Sequence, residues 1–186
     1  MTKIGIFVGS IREGRSAEAV KQWVADAAAK REGAEYVMLD LKEFNVPLLE
    51  SATVPGAANK QYDDENVNAW SQAVDACDAY VFITPESNHS VPGPMKNAFD
   101  SLGSEWAGKP VAFVGYGASG GVRAVEHWRT IVANFAMIAI RNQIELSLFT
   151  EFGPEGLQPA DRKGGELENI LNELEQTTEA IAKVNQ

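Results

Sequence analysis

The chain has 186 residues, enough for one substantial core, and reads as a single domain over residues 1–186. Its 45% hydrophobic and 23% charged composition is that of a globular protein, and its formal net charge of −10 excludes a broad electrostatic attraction to nucleic acid or an anionic membrane. One cysteine, Cys77, and two histidines, His89 and His127, exclude an internal disulfide, a thiolate metal cluster and a His-rich metal site.

The first apolar run, Ile4 to Val8, is too short for a signal-peptide core and reads as a strand. No stretch approaches membrane-spanning length, so residence in the cytoplasm is the default expectation. The loop Gly9-Ser10-Ile11-Arg12-Glu13-Gly14-Arg15-Ser16 follows. Val20, Val24, Ala27 and Ala28 then recur at helical spacing, and Gly33 gives a stop. Tyr36 to Leu39 is the second strand candidate, closed by Asp40. An irregular stretch from Phe44 to Asn59 precedes a helical stripe of Val67, Trp70, Val74 and Cys77. Tyr80 to Ile83 reads as the third strand, and a polar turn from Pro85 to Ser90 follows it. Pro92 or Pro94 suits the first turn of the next helix, which carries Met95, Ala98, Phe99 and Leu102. Val111 to Val114 is the fourth strand, followed by the glycine-rich turn Gly115 to Gly121 and a helix with Val122, Val125, Val132 and Phe135. Met137 to Ile140 is the fifth strand. A second irregular stretch, Thr150 to Gly165, leads to the last stripe, Leu167, Ile170, Leu171, Leu174 and Ile181. Segments of this kind are functional covers, partner contacts or plain surface excursions, and the residues leave those alternatives open.

Five short apolar strands alternating with five helices define an α/β class: a doubly wound parallel sheet covered on both faces. The order 2-1-3-4-5 places a switch point between the first and third strands, and ligands bind beyond the carboxyl ends of strands at such a point. The loops after those two strands are the ones richest in ligand chemistry. The first offers the hydroxyls of Ser10 and Ser16, the planar fork of Arg12, a second guanidinium on Arg15, and the unpaired N–H groups of a helix start, which together hold a phosphate. Its other reading is a strand-to-helix turn with Ser16 as N-cap and two solvated arginines. The Lys-Ser/Thr ending of a triphosphate loop and the G-x-G-x-x-G of a dinucleotide turn are both missing, so a monophosphate fits best. Asp40 then reads as a strand-end or turn carboxylate. A phosphate at one end and a polar turn at the other suggest a mononucleotide cofactor.

Gly117 to Gly121 formally matches the nucleophile elbow of α/β-hydrolases, with Ser119 as nucleophile. A triad there needs an acid and then a histidine further on, whereas His127 comes only eight residues after Ser119 and His89 precedes it. The same glycines, Gly117 and Gly120 among them, let backbone approach a flat ring closely.

Taken with these loops, the motif Pro85-Glu86-Ser87-Asn88-His89-Ser90-Val91-Pro92-Gly93, continuing through Lys96-Asn97-Ala98-Phe99-Asp100, resembles the NADPH-dependent FMN reductase family of flavodoxin-like quinone, azo-dye and chromate reductases. The resemblance runs from Lys3 to about Leu146. It implies a flavodoxin-like three-layer sandwich in which Ser10, Arg12, Arg15 and Ser16 hold the FMN phosphate. Pro85, Glu86, Ser87, Asn88, His89 and Ser90 would border the isoalloxazine, and Gly117, Ser119 and Gly120 would complete the cradle. Ser87 departs from the family's usual tyrosine, which leaves substrate preference open. Lys96 and Asn97 match the motif, in service of flavin or of the helix start. The implied activity is hydride passage from NADPH or NADH through FMN to a small-molecule acceptor such as a quinone, azo compound, metal oxyanion or free flavin. The alternative is a flavodoxin-like electron carrier or redox-sensing partner protein. A homodimer or homotetramer is implied by the same resemblance. His89 is either a proton donor or a residue that hydrogen-bonds within its own loop. No obligatory acid or base follows, and Trp23, Trp70, Trp106 and Trp128 read as core or interface.

Overall fold

The computed structural model describes residues 1–184; the final two residues of the expected domain lie outside the described residues. In chain order the elements are β1 (Thr2–Val8), α1 (Ala17–Ala28), β2 (Ala34–Asp40), α2 (Leu41–Phe44), α3 (Glu65–Asp75), β3 (Ala79–Pro85) and α4 (Gly93–Asp100). They continue with β4 (Pro110–Gly117), α5 (Val122–Ala133), β5 (Ile138–Ser147), β6 (Phe152–Gly153), β7 (Gly156–Leu157) and α6 (Asp161–Val184). Strands β1 to β5 form one parallel sheet in the order β2-β1-β3-β4-β5, as the alternation of apolar runs and helical stripes predicts.

Each strand residue faces the layer opposite to its neighbour's, and the two layers differ in chemistry. Ile4, Ile6 and Val8 of β1, with Val81 and Ile83 of β3, pack with Val20 and Val24 of α1 and Leu167, Leu171 and Leu174 of α6. Phe7, Tyr80, Phe82 and Phe113 point the other way, into an aromatic layer with Trp70, Phe99, Trp106 and Trp128. Those three tryptophans are fully buried, so they are core and have no face left for a ligand. Trp23 is half-buried against the aliphatic layer. Burying each Phe side chain of this layer contributes roughly 1.5–3 kcal/mol.

Strand β5, the β6–β7 pair and the start of α6 differ from the sequence expectation. Strand β5 runs to Ser147, well past Ile140, because its pairing with β4 slips: Val111 pairs with Ala139, but Phe113 pairs with Gln143. The bulged carbonyls of Ile140 and Arg141 are satisfied by Arg129, which donates to both at 2.8 Å. In the second irregular stretch, β6 and β7 form a small antiparallel pair, and α6 already begins at Asp161. Gly164 and Gly165 are therefore exposed residues within the helix, not parts of a loop. The first irregular stretch, by contrast, is fastened by Asn97, whose side chain donates to Pro47 O at 2.8 Å and accepts from Leu49 N at 3.0 Å. Asn97 and Lys96, which pairs with Asp100 at 2.5 Å, thus serve structure.

Candidate cofactor site

The carboxyl ends of β1, β3 and β4 lie side by side, and backbone bonds carry the alignment into the loops. Gly9 N donates to Ile83 O at 3.0 Å, Glu86 N to Tyr116 O at 3.0 Å, and Leu148 N to Gly117 O at 3.0 Å. The loops enclose a cleft of about 170 Å³. Of the residues expected from sequence, Ser10, Arg12, Arg15, Ser16, Pro85, Glu86, Ser87 and Gly117 line it. Asn88, His89, Ser90, Ser119 and Gly120 do not line it but lie on the turns that continue from Ser87 and Gly117. Tyr116, Pro92, Pro94 and Leu148 also line the cleft and were not anticipated. The cleft is smaller than the roughly 300–1,000 Å³ of enclosed ligand sites, so a mononucleotide here would lie along an open rim.

The two arginines of the first loop have different fates. Arg12 is exposed and, among the described residues, has no hydrogen-bond or ion-pair partner through its side chain. Arg15 is a nearly buried fork on Asp40, with Nη1 2.7 Å from Oδ1 and Nη2 2.5 Å from Oδ2. It also reaches Ser10 O and, at 3.0 Å, Glu18. Lys21 adds a second cation to Asp40 at 3.1 Å. Burial works to raise the Asp40 carboxyl, but the hydrogen bonds from Arg15 and Lys21 outweigh it and hold the group below the usual carboxylate range. Arg15 therefore shapes the loop before it can offer anything to a ligand. Asp40 is a strand-end carboxylate that also caps α2, accepting from Lys42 N at 3.2 Å. A signal for this pairing exists in the topology: parallel register sets Asp40 directly beside Val8, where the loop begins.

Ser16 occupies the N-cap of α1 without making a capping bond, so its hydroxyl remains uncommitted at a positive helix end. Ser10 is 5% exposed and stands against the Tyr116 phenol, which burial pushes up to about 12. Two hydroxyls, the free Arg12 fork and first-turn amides therefore converge on one end of the cleft. That donor set fits a phosphate.

At the other end, Ser87, Asn88, His89 and Ser90 form a tight turn closed by Ser87 N to Ser90 O at 2.9 Å and Ser90 N to Ser87 O at 3.1 Å. Asn88 and His89 both take the left-handed region, at φ 48° and 74°. This is the backbone of a type I′ turn, and each such non-glycine residue costs about 1–2 kcal/mol. The strain is offset from α5. Ser90 Oγ lies 2.7 Å from His127 Nδ1, and Arg123 Nη1 lies 3.0 Å from His89 Nδ1. His89 thus bonds across to another element and not within its own loop.

Arg123 is the residue that sequence reasoning missed. Its guanidinium pairs with Glu86 Oε1, its backbone N–H donates to Glu86 Oε2 at 3.1 Å, and Nη2 donates to Ser119 Oγ at 3.0 Å. One side chain therefore ties together the second and third loops, while its own Nε is buried with no partner. An arginine in the first turn of a helix ordinarily reads as solvated, and only its placement just after the glycine turn hinted otherwise. That turn depends on Gly121, at φ +78°, where an added Cβ would meet Tyr116 N at 2.5 Å. Ser119 has an arginine and no histidine against it, and His127 is engaged with Ser90. No Ser–His pair forms at the glycine turn, and the hydrolase alternative loses its geometry.

A flavodoxin-like sheet with a phosphate-suited loop and two polar loops at its carboxyl edge defines a mononucleotide-binding class of α/β protein. The NADPH-dependent FMN reductase family model matches residues 2–151, and the chain belongs to that family. An NAD(P)H-dependent FMN reductase of Nectria sp is 38% identical over 128 residues, 67% of this chain and 64% of that protein. A counterpart in Saccharomyces cerevisiae is 31% identical over 147 residues, 74% of this chain and 77% of its own. The match to the Nectria protein and to one from Schizosaccharomyces pombe spans 64% and 60% of their lengths, so the chain spans a little under two thirds of those relatives. In fold, FerB of Paracoccus denitrificans, a flavoenzyme NAD(P)H:(acceptor) oxidoreductase, superposes with a TM-score of 0.76 at 20% identity, covering 97% of this chain and 98% of its own.

Proposed function

We propose that this protein is an NAD(P)H-dependent FMN oxidoreductase that reduces a small-molecule acceptor, with quinones the leading class. The observation that carries this reading is the pair of uncommitted donors, Arg12 and Ser16, at a helix start across the cleft from the strained turn Ser87–Ser90. A 2-hydroxy-1,4-benzoquinone reductase of Burkholderia sp, 30% identical over 154 residues, adds support for the acceptor class. Ser10, Arg12 and Ser16 would hold the FMN phosphate, with Arg15 keeping the loop in shape through Asp40. Pro85, Glu86 and Ser87 would border the ring system, with Asn88, His89 and Ser90 at its outer edge. Gly117, Ser119 and Gly120 would let backbone close on its polar rim. FMN held there would supply the hydride-transfer chemistry between nicotinamide and acceptor. The chain's task is to fix the rings in contact and to place dipoles where negative charge collects.

Azo compounds, metal oxyanions and free flavin are further acceptors within the same reading. So are a homodimer or homotetramer, a single functional domain and work in the cytoplasm. No helix among the described residues is long and apolar enough to cross a membrane. The test is an absorbance scan of the FMN-loaded protein before and after NADPH, then NADH, followed by a quinone. Bleaching by either nicotinamide and recovery of colour with quinone supports the proposal. A flavoprotein that no nicotinamide bleaches overturns it in favour of an electron carrier.

A further inference from the structure

We infer that Arg123 is a positioning residue that fixes His89 as a hydrogen-bond donor to a carbonyl oxygen of the electron acceptor. This rests on the reductase reading above. A guanidinium has donors and no acceptor, so the 3.0 Å contact between Arg123 Nη1 and His89 Nδ1 makes Nδ1 the accepting nitrogen. The ring proton is then on Nε2, which has no partner among the described residues. The residue is exposed, on the turn that begins at Ser87 of the cleft lining.

The contact that selects this tautomer is itself held in place. Arg123 is itself held by Glu86, only 5% exposed in its side chain, through both the guanidinium and the backbone N–H, and by Ser119 Oγ at 3.0 Å. Ser90, next to His89, is held by His127 one turn further along the same helix. The face of α5 that carries Arg123 and His127 therefore clasps His89 and the residue after it.

The chemistry follows from the tautomer. A quinone that takes up a hydride from the reduced cofactor holds negative charge on a carbonyl oxygen until water protonates it to the hydroquinone. An N–H held in this tautomer and reaching that oxygen stabilises the charge as it develops, in the manner of a neutral histidine acting as an electrophile. Such a ring is a poor proton source, since losing the Nε2 proton would leave an anion. The proton comes from solvent, and His89 contributes the hydrogen bond. Carbonyl acceptors gain from this, whereas an acceptor that takes single electrons without a carbonyl does not.

The test joins a spectroscopic and a kinetic measurement on the FMN-loaded protein. In ¹⁵N spectra of the histidine side chains, His89 (assigned by its loss in His89→Gln) should show an N–H at Nε2 and a bare Nδ1. In Arg123→Ala it should shift to a mixture of both tautomers. The ratio of quinone to ferricyanide turnover should fall about tenfold in His89→Ala, the size of one net hydrogen bond. His89→Gln, which keeps an N–H, should recover much of that ratio. A proton on Nδ1 in the wild type, an unchanged tautomer in Arg123→Ala, or an unchanged ratio in His89→Ala overturns the inference. The wild-type spectrum and the His89 variants decide the matter without relying on the folding of Arg123→Ala. Absence of any nicotinamide-driven turnover would instead overturn the reductase reading, and the spectrum would still report on Arg123 and His89.

Discussion

Substituting the two arginines of the first loop separates a ligand contact from a structural one. Arg12 has no protein partner through its side chain among the described residues, so on the proposed reading Arg12→Ala would remove a charge-assisted phosphate contact and little else. Such a contact is worth about 1.5–3 kcal/mol, which weakens FMN binding about 10- to 150-fold with little change in thermal midpoint. Arg15→Ala has the opposite profile. It strips the bidentate partner from Asp40, whose side chain is 1% exposed, while Lys21 at 3.1 Å and Lys42 N at 3.2 Å remain. Breaking a buried pair costs about 3–5 kcal/mol, and the remaining donors place this one near about 3. At about 2–4 °C per kcal/mol for a domain of this size, the midpoint should fall by about 6–12 °C. FMN titration by flavin fluorescence and a melt of each apoprotein give the two numbers. Wild-type FMN affinity in a folded Arg12→Ala protein would refute the reasoning. So would an Arg15→Ala protein of unchanged stability.

Three further outcomes follow from particular contacts. Gly121→Ala should lose about 3 kcal/mol or more by denaturant titration, because its positive φ is strained and its Cβ would meet backbone of Gly115 and Tyr116; a loss below about 1 kcal/mol would contradict the tight turn. Asp40 is held below its usual range, so its stabilising effect is complete above about pH 4 and is lost as pH falls through its folded-state value. The stability gap between wild type and Asp40→Asn should therefore stay level above about pH 5 and shrink as pH falls below about 4, and a gap that stays constant there would count against the ion pair. Because Ser119 has Arg123 and no histidine against it, hydrolysis of an activated acyl ester should stay at the buffer rate; Ser119-dependent turnover would revive the hydrolase alternative.

The strand order was readable because β1, β3 and β4 are apolar at successive positions, as strands covered on both faces must be. Strand β5 was truncated in that reading because Arg141, Asn142 and Gln143 interrupt its apolar run, and Arg129, which repairs the bulge, is distant in sequence. Most of the candidate site was legible for a related reason: loops after strands at a switch point declare themselves by glycine, serine and arginine. What stayed hidden were long-range partners. Arg15 belongs to Asp40, 25 residues away, and Arg123 to Glu86, 37 residues away. Local composition cannot tell an arginine that waits for a phosphate from one already spoken for. The type I′ turn was equally silent, since the contacts that hold His89 and Ser90 in it come from α5, 34 and 37 residues away.

The most direct test compares FMN with riboflavin, which has the same ring system without the phosphate, by isothermal titration on one preparation. Capture at both ends of the cleft predicts that FMN binds at least about 100-fold more tightly, from two or more charge-assisted contacts of about 1.5–3 kcal/mol each. Equal affinity for the two ligands, or no measurable binding of FMN, would contradict it.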